Sequence, residues 1–425
     1  MGVIQDLLKD VPLPRVVRVR QAFSADEIRD VSATVRAQLA APGVGDTVRP
    51  GMRIAVTVGS RGIARIAEIA AAVVSGLKDR GASPFVIPAM GSHGGATAEG
   101  QVALLATLGV TERSLDCPIL SSMDAVEIGR LENGLPVFLD RNAHEADGIV
   151  VLNRVKPHTA FRGPSESGLV KMMTIGLGKQ RGADSCHTYG FGHMAAHILA
   201  MAEVVLAQAR ILFGVGIVEN AHDRPMKIVG VPAPAIVAAD RELLVEAKAC
   251  MARIMFDPID VLVVDRMGKE FSGSGMDPNV TGRYPTPFAT GGPKVEKLVV
   301  LDLSHEGGNA MGVGLADFTT RQLVSRIDYQ AMYANALTAT IANPARVPAA
   351  LDTERDAVRA AIKTCNSRDR SRVRLVRLRD TLHLDEIWIS EALLDEARSN
   401  PAVTVCGEPE AMRFDEAGRI SSRDA

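Results

Sequence analysis

Four side chains with reactive chemistry follow one apolar run in this chain. Gly148-Ile-Val-Val-Leu152 reads as a buried strand from its length and β-branched content. The stretch after it, from Asn153 to His187, is NRVKPHTAFRGPSESGLVKMMTIGLGKQRGADSCH and carries His158, Lys171, Lys179 and His187 among glycine-bearing turns. A further histidine, His93, lies between Gly91 and Gly94-Gly95, so the backbone there is free to approach a ligand closely. Imidazole moves protons near neutral pH and ligates transition metals when neutral. A strand that empties into a long, polar, glycine-rich loop is where open α/β sheets bind ligands. The active site is expected here.

Several familiar chemistries do not fit these residues. His193-Met-Ala-Ala-His197 has the spacing of a zinc site but lacks the glutamate after the first histidine, so it reads as helix surface or core. Gly176-Leu-Gly178-Lys179 is followed by Gln180 where a phosphate loop needs serine or threonine, which argues against ATP hydrolysis. Gly91-Ser-His-Gly-Gly-Ala-Thr97 lacks dinucleotide spacing. Gly59-Ser60-Arg61-Gly62, between a strand and a helix, leaves two readings open: an anion cradle, or a tight turn with a solvated arginine.

The elements that must position these residues follow from periodicity. A first helix is expected over Asp26–Leu39 with Ser24 as its cap, a strand over Arg53–Val58, and a helix over Ile63–Arg80. A strand over Pro84–Pro88 leads to a helix near Thr97, and residues 123–143 read as a hairpin around Asn133-Gly134. The apolar segment Met194–Val218 reads as one buried helix, since His197, Glu203, Gln208 and Arg210 interrupt it too often for a membrane span. Another helix runs over Ala233–Phe256 and stops at Asp257-Pro258.

A second α/β pattern then begins with the strand Ile259–Val264. It continues through a glycine-rich loop, the strand Leu298–Asp302 and a helix over Thr319–Thr338. Arg368–Arg379 reads as basic and solvated, and the tail from Gly418 as frayed. The expected architecture is α/β: two α/β domains with mainly parallel sheets and an active-site cleft between them. Residues 1–256 form the catalytic domain, 257–400 a domain closing over the site, and 401–425 a segment that could return to the first domain.

At 425 residues the chain is long for one core, which makes two domains the default. A net charge of -2 and 4% aromatics give nucleic acid neither electrostatic attraction nor a stacking platform. The five cysteines (117, 186, 250, 365 and 406) form no C-x-x-C pair, so neither a disulfide framework nor a zinc knuckle is indicated. Cys186, next to His187, reads as a small buried residue. The first residues carry acidic side chains and no cleavable apolar core, so a cytoplasmic protein with no membrane partner is expected.

Lys156-Pro-His158, Gly168-Leu-Val-Lys171, Gly176-Leu-Gly-Lys179 and His187 together resemble the central signature of the nickel-dependent lactate racemase superfamily. Gly59-Ser-Arg61 and Gly91-Ser-His93 fit its two earlier motifs in the same order, and the resemblance covers most of the chain. It implies a nickel-pincer nucleotide, that is, nickel pyridinium-3-thioamide-5-thiocarboxylic acid mononucleotide. One lysine joins this cofactor through a thioamide, and one histidine supplies the remaining nickel ligand. By motif position Lys171 would be the tether, with Lys179 as runner-up, and His187 the nickel ligand. His93 and His158 would be the acid/base pair, Ser60 and Arg61 would lie against the cofactor, and Arg61 would help hold the substrate carboxylate.

The implied chemistry has a physical logic. Removing a proton beside a carboxylate develops a second negative charge next to the first. Moving that hydrogen as hydride to the cofactor avoids this and turns a 2-hydroxy acid into a 2-keto acid. Racemisation then needs one histidine for each face of the keto acid, as base and as acid. Enzymes that build the cofactor would be transient partners.

Two departures from the lactate-type pattern stand out. The segment between His158 and Lys171 is longer and less glycine-rich than usual. The second domain carries Met267-Gly-Lys269-Glu270 and then Asp277-Pro-Asn279 where lactate racemases place a Tyr-Gln pair and a lysine. Lys269, Asp277 and Asn279 are therefore expected to contact extra hydroxyls or a second carboxylate, on a 2-hydroxy acid other than lactate. The alternatives are a non-catalytic anion- or nucleotide-binding protein of the same fold, and a conventional metal-dependent hydrolase or lyase.

Overall fold

The computed structural model describes residues 2–60, 62–304, 307–367 and 369–421. The chain divides into two compact units, residues 24–251 and residues 1–23 with 252–425. The first strand, β1 (Arg15–Gln21), thus folds apart from the strands that follow it. This differs from the expected division into 1–256, 257–400 and a returning 401–425. The cause is strand pairing: β1 lies antiparallel between two strands of the last hundred residues, so both ends of the chain share one sheet.

The unit of residues 24–251 is built on five strands. These are β2 (Arg53–Val58), β3 (Ser83–Pro88), β6 (Gly148–Arg154), β7 (Ile211–Glu219) and β8 (Pro225–Pro232); β4 (Ala125–Arg130) and β5 (Pro136–Asp140) form a separate hairpin. The sheet order is β3-β2-β6-β7-β8, parallel except for the antiparallel β8. β2 buries five of its six residues, the near-continuous burial of a strand covered on both faces. Its core joins Ile54, Val56 and Val58 to Ile69, Val73 and Leu77 of the helix Ile66–Lys78 and to Val150, Leu152 and Val215 of the neighbouring strands. The expected strands, the hairpin at Asn133-Gly134 and the helix capped by Thr97 are all present.

Three expectations in this unit are corrected. The first helix is Val31–Leu39, because the Asp30 carboxylate accepts the Ala33 N–H at 2.8 Å, while Ser24 bonds Asp26 instead. The segment Met194–Val218 is not one helix. The helix Phe191–Gln208 stops there, and Ile211-Leu-Phe-Gly-Val-Gly-Ile-Val218, rich in β-branched residues and broken by glycine, becomes the buried strand β7. The helix expected over Ala233–Phe256 spans Ile236–Cys250 and ends where Met251 turns extended, before the proline is reached.

The other unit carries β9 (Ile259–Met267), β10 (Val295–Leu303), β11 (Phe318–Thr320), β12 (Ala349–Leu351), β13 (Leu375–Leu378), β14 (Glu386–Ser390), β15 (Val403–Val405) and β16 (Glu410–Ala411). The order is β12-β11-β10-β9-β13-β14-β1-β15, parallel from β12 to β13 and antiparallel beyond, with β16 on β1.

Here the helix expected over Thr319–Thr338 is split into Arg321–Ser325 and Tyr329–Thr338, each started by its own side-chain cap, Thr320 and Asp328. The basic stretch is not all solvated: Arg377 is buried in β13 and grips Asp265 of β9 through two bonds of 2.8 and 2.7 Å. The tail is ordered to Ser421, since Ile420 is buried and its N–H donates to Glu354 at 2.8 Å. Residues 422–425 lie outside the described residues.

Candidate active site

The loop leaving β6 is shaped by one buried carboxylate. Glu166, 1% exposed, accepts the His158 N–H at 2.7 Å and the Lys248 ammonium at 2.6 Å, with the Arg162 guanidinium at 3.2 Å. A buried charge is tolerable only when it is paired in this way. Lys156 and Ser167 exchange backbone hydrogen bonds across the loop's neck, and Asn153 of β6 donates to the Gly168 carbonyl at 2.8 Å.

The short helix Leu169–Lys171 starts against Asp240, whose carboxylate accepts the Leu169 N–H at 2.6 Å. Burial raises the pKa of Asp240 above the usual carboxylate range. A Cβ on Gly168 would run into that carboxylate, so glycine is required by close approach. A π-helical turn, Met172–Gly176, follows Lys171 and leads to the helix Lys179–His187. Such wide turns are uncommon and concentrate at functional sites.

This framework brings His158 and Lys171 together. His158 Nε2 and Lys171 Nζ lie 2.7 Å apart, and the other ring nitrogen, Nδ1, accepts the Ala160 N–H at 3.0 Å. The His158 ring packs on Phe161 at 4.4 Å between centroids and reaches Phe191 at 6.2 Å. His187 meets the same Phe191 edge-on at 5.3 Å. Burial, and secondarily any positive charge on Lys171, pushes the His187 pKa down to about 4. Its Nδ1 is buried without a hydrogen-bond partner among the described residues. Cys186 is a small buried residue, as expected: burial pushes its thiol up to about 12, and its Sγ touches Met194 Sδ at 3.3 Å.

His93 belongs to a second cluster in the same unit. Its Nδ1 is hydrogen-bonded to Ser60 Oγ, which joins the loops after β2 and β3. The exposed ring sits on a backbone held from below, because Gln101 donates to the Gly91 and His93 carbonyls at 3.0 and 3.2 Å. Gln101 in turn accepts from Lys179 at 2.7 Å; Lys179 also donates to the Pro88 carbonyl at 2.8 Å and pairs with Asp140 at 3.4 Å.

Lys179 and Asp140 are both fully buried, and burial lowers the lysine pKa and raises that of the aspartate. Lys179 therefore ties helix Lys179–His187 to the His93 loop from inside. The Gly91 N–H donates to the Gly176 carbonyl at 3.3 Å, and a Cβ on Gly59 would meet Met172 at 3.1 Å. The loops bearing Ser60, His93 and Lys171 thus converge at the carboxyl ends of β2, β3 and β6.

Arg61 lies outside the described residues. The other unit holds Lys269, Asp277 and Asn279 together in one loop. Lys269 donates to the Gly273 carbonyl at 2.8 Å, and the Asp277 carboxylate accepts the backbone and side-chain N–H groups of Asn279 at 2.9 and 2.8 Å. Asn279 also accepts from the Tyr284 hydroxyl at 3.2 Å. The Asp277 N–H meets Thr381, in a loop where His383 Nδ1 bonds the buried Asp380 at 2.8 Å.

His193 and His197 stack on one another at 5.6 Å on the helix Phe191–Gln208, where His197 is buried beside Asn133. The positioning residues that sequence reasoning missed are Glu166, Asp240, Gln101 and Asp140. Each is a lone polar residue inside an ordinary helix, strand or loop pattern, and only tertiary contact marks it.

Residues 5–198 match the family described as the lactate racemase N-terminal domain. A protein of known structure from Thermotoga maritima is 13% identical, with 74% of this chain and 81% of that chain covered and a TM-score of 0.47. The lactate racemase apoprotein from Thermoanaerobacterium thermosaccharolyticum is 12% identical over 82% of this chain and 85% of its own, with a TM-score of 0.45. Among curated proteins none matches.

Proposed function

We propose that this chain, a member of the lactate racemase superfamily through its N-terminal domain over residues 5–198, is a racemase or epimerase of 2-hydroxy acids other than lactate. It would work with a nickel-pincer nucleotide tethered to Lys171. The observation that carries this reading is the trio of His158, Lys171 and His187, with the two histidines on one aromatic ring and the lysine amine at 2.7 Å from His158.

The residues fit such a group. His187 offers a buried Nδ1 with no hydrogen-bond partner among the described residues, and its low pKa keeps it neutral, as a metal ligand must be. Lys171 offers an amine beside it. Lys179 is already committed to Pro88, Gln101 and Asp140, which favours Lys171 as the tether. When bound, the cofactor supplies an acceptor for the hydrogen on the hydroxyl-bearing carbon.

The chain's own side chains do the rest. His158 and His93 serve opposite faces: one takes the substrate hydroxyl proton as base and the other returns a proton as acid, a role worth about 10²- to 10⁴-fold per transfer. Ser60 orients the His93 ring through Nδ1.

The test is to produce the chain with the enzymes that build the cofactor, measure its intact mass and nickel content, and follow a panel of 2-hydroxy acids for inversion at C2. An adduct on the Lys171 peptide together with racemisation of a polar 2-hydroxy acid is expected. A bare chain that inverts nothing would end the proposal.

A further inference from the structure

We infer that Lys179 is a positioning residue for His93: through Gln101 it holds the loop carrying this histidine against the helix that ends at His187. What His93 does to substrate rests on the reading above; where His93 is held rests on this network alone.

Hydrogen-bond direction leaves one arrangement. Backbone carbonyls only accept, so the Gln101 amide nitrogen is the atom that faces those of Gly91 and His93, at 3.0 and 3.2 Å. Both amide protons thus go to the two carbonyls that bracket Ser92 and His93. The amide oxygen is left for Lys179, whose Nζ donates to it at 2.7 Å. Lys179 turns its other donors to the Pro88 carbonyl at 2.8 Å and to Asp140 at 3.4 Å.

The network is costly, and the fold does not demand it. Lys179, Asp140 and Gln101 are all 0% exposed, yet well-packed apolar residues often replace a buried ion pair without loss of stability. Lys179 also lies in the left-handed region, at φ +55°, where a side chain strains the backbone. Strain of this kind collects at functional sites.

His93, for its part, sits on a backbone with little stiffness of its own. Gly91, Gly94 and Gly95 have φ of +58°, +68° and +67°, and none carries a side chain to lock the turn. A Cβ on Gly91 would meet Ile175 at 3.3 Å, so the loop lies directly on the turn before Lys179. Lys179 opens the nine-residue helix that His187 closes. One element therefore carries the hold on His93 at its first residue and His187 at its last, which gears the acid/base loop to the proposed metal ligand.

The experiment compares Gln101→Met with the wild type, first as the full chain without cofactor. Methionine keeps the volume and removes both donors and the acceptor. Amide hydrogen exchange of a peptide covering residues 89–97 is expected to quicken at least about tenfold in the variant, while exchange in β6 stays as it was. The second arm uses the cofactor-loaded chain. Gln101→Met should keep the adduct and lower kcat at least about tenfold, with KM changed less than about threefold. In a His93→Gln background the same change should cost no further turnover, because a residue acting through His93 then has nothing left to position.

Unchanged exchange at 89–97, a rise shared equally by β6, an undiminished kcat, or losses that multiply in the double variant would each overturn the inference. If Gln101→Met does not fold, NMR of the wild type decides: side-chain amide protons of Gln101 shielded from solvent exchange support it, and freely exchanging ones refute it. Failure to acquire a nickel adduct in the earlier test leaves the exchange result standing, and the two failures are therefore distinct.

Discussion

His158 and His187 pack against the same phenylalanine ring, Phe191, from centroid distances of 6.2 and 5.3 Å. One comes from the loop after β6 and the other from the last turn of a helix, yet Phe191, at the start of the next helix, holds both within reach of Lys171. On the proposed reading, the proton-transfer residue, the tether and the metal ligand belong to a single packed cluster.

The tether is tested by replacing either lysine. Lys171→Ala, produced with the cofactor-building enzymes, is expected to have the intact mass of the bare chain and no racemase activity. A folded Lys179→Met variant is expected to keep the adduct; an adduct that vanishes with Lys179 and survives loss of Lys171 would reverse the assignment.

His93→Gln should retain the adduct and lose turnover by about 10²- to 10⁴-fold, the usual worth of one positioned acid or base. Peptide mass and initial rates on both enantiomers measure the two halves of this statement. Undiminished turnover would remove His93 from the chemistry.

His187 makes stability pH-dependent. Its folded pKa, about 4, lies below the usual value near 6.5, so the unfolded chain binds a proton that the folded chain refuses. Its contribution is complete above about pH 6.5 and is lost as pH falls through the window down to about 4. The loss is on the order of 2 to 3 kcal/mol, allowing for partial solvent contact of the ring. Urea titrations of the wild type and His187→Asn at pH 7 and pH 4.5 should converge at the lower pH; a constant gap between them would contradict this origin.

Lys179→Met leaves Asp140 as an unpaired buried carboxylate and should cost about 3 to 5 kcal/mol, seen as a lower denaturation midpoint. The double change Lys179→Met with Asp140→Leu should recover much of that loss. If the double variant is no more stable than the single one, the pair is not the reason for the cost.

Gly168→Ala drives a methyl group into the Asp240 carboxylate that starts the Lys171 helix. An overpacked site of this kind typically loses about 1 to 3 kcal/mol. Adduct formation should fall more than stability, because the clash displaces the turn carrying the tether. A fully modified, fully stable variant would show that this glycine is dispensable.

What could be read from the chain before folding was mostly local. β2, β3 and β6 announced themselves as apolar runs ending in glycine-rich loops, and His93, His158, Lys171 and His187 stood at those ends. The buried residues that hold the loops did not, since Glu166 and Asp240 look like ordinary polar residues until Lys248 and the Leu169 N–H are brought to them. The segment Met194–Val218 misled because uninterrupted hydrophobicity does not distinguish a buried helix from the helix and strand that share it. Arg377 misled for a similar reason: its partner Asp265 is 112 positions away.

β1 has a consequence for how the protein comes into being. A ribosome delivers residues 15–21 first, but their partners β14 and β15 emerge only after residue 386. The contiguous unit of residues 24–251 is therefore free to mature early, while the opening strand waits unpaired through most of synthesis. A gene fragment starting at residue 252 would lack the strand that bridges β14 and β15, and any attempt to dissect this protein has to carry its first twenty-three residues along with its last.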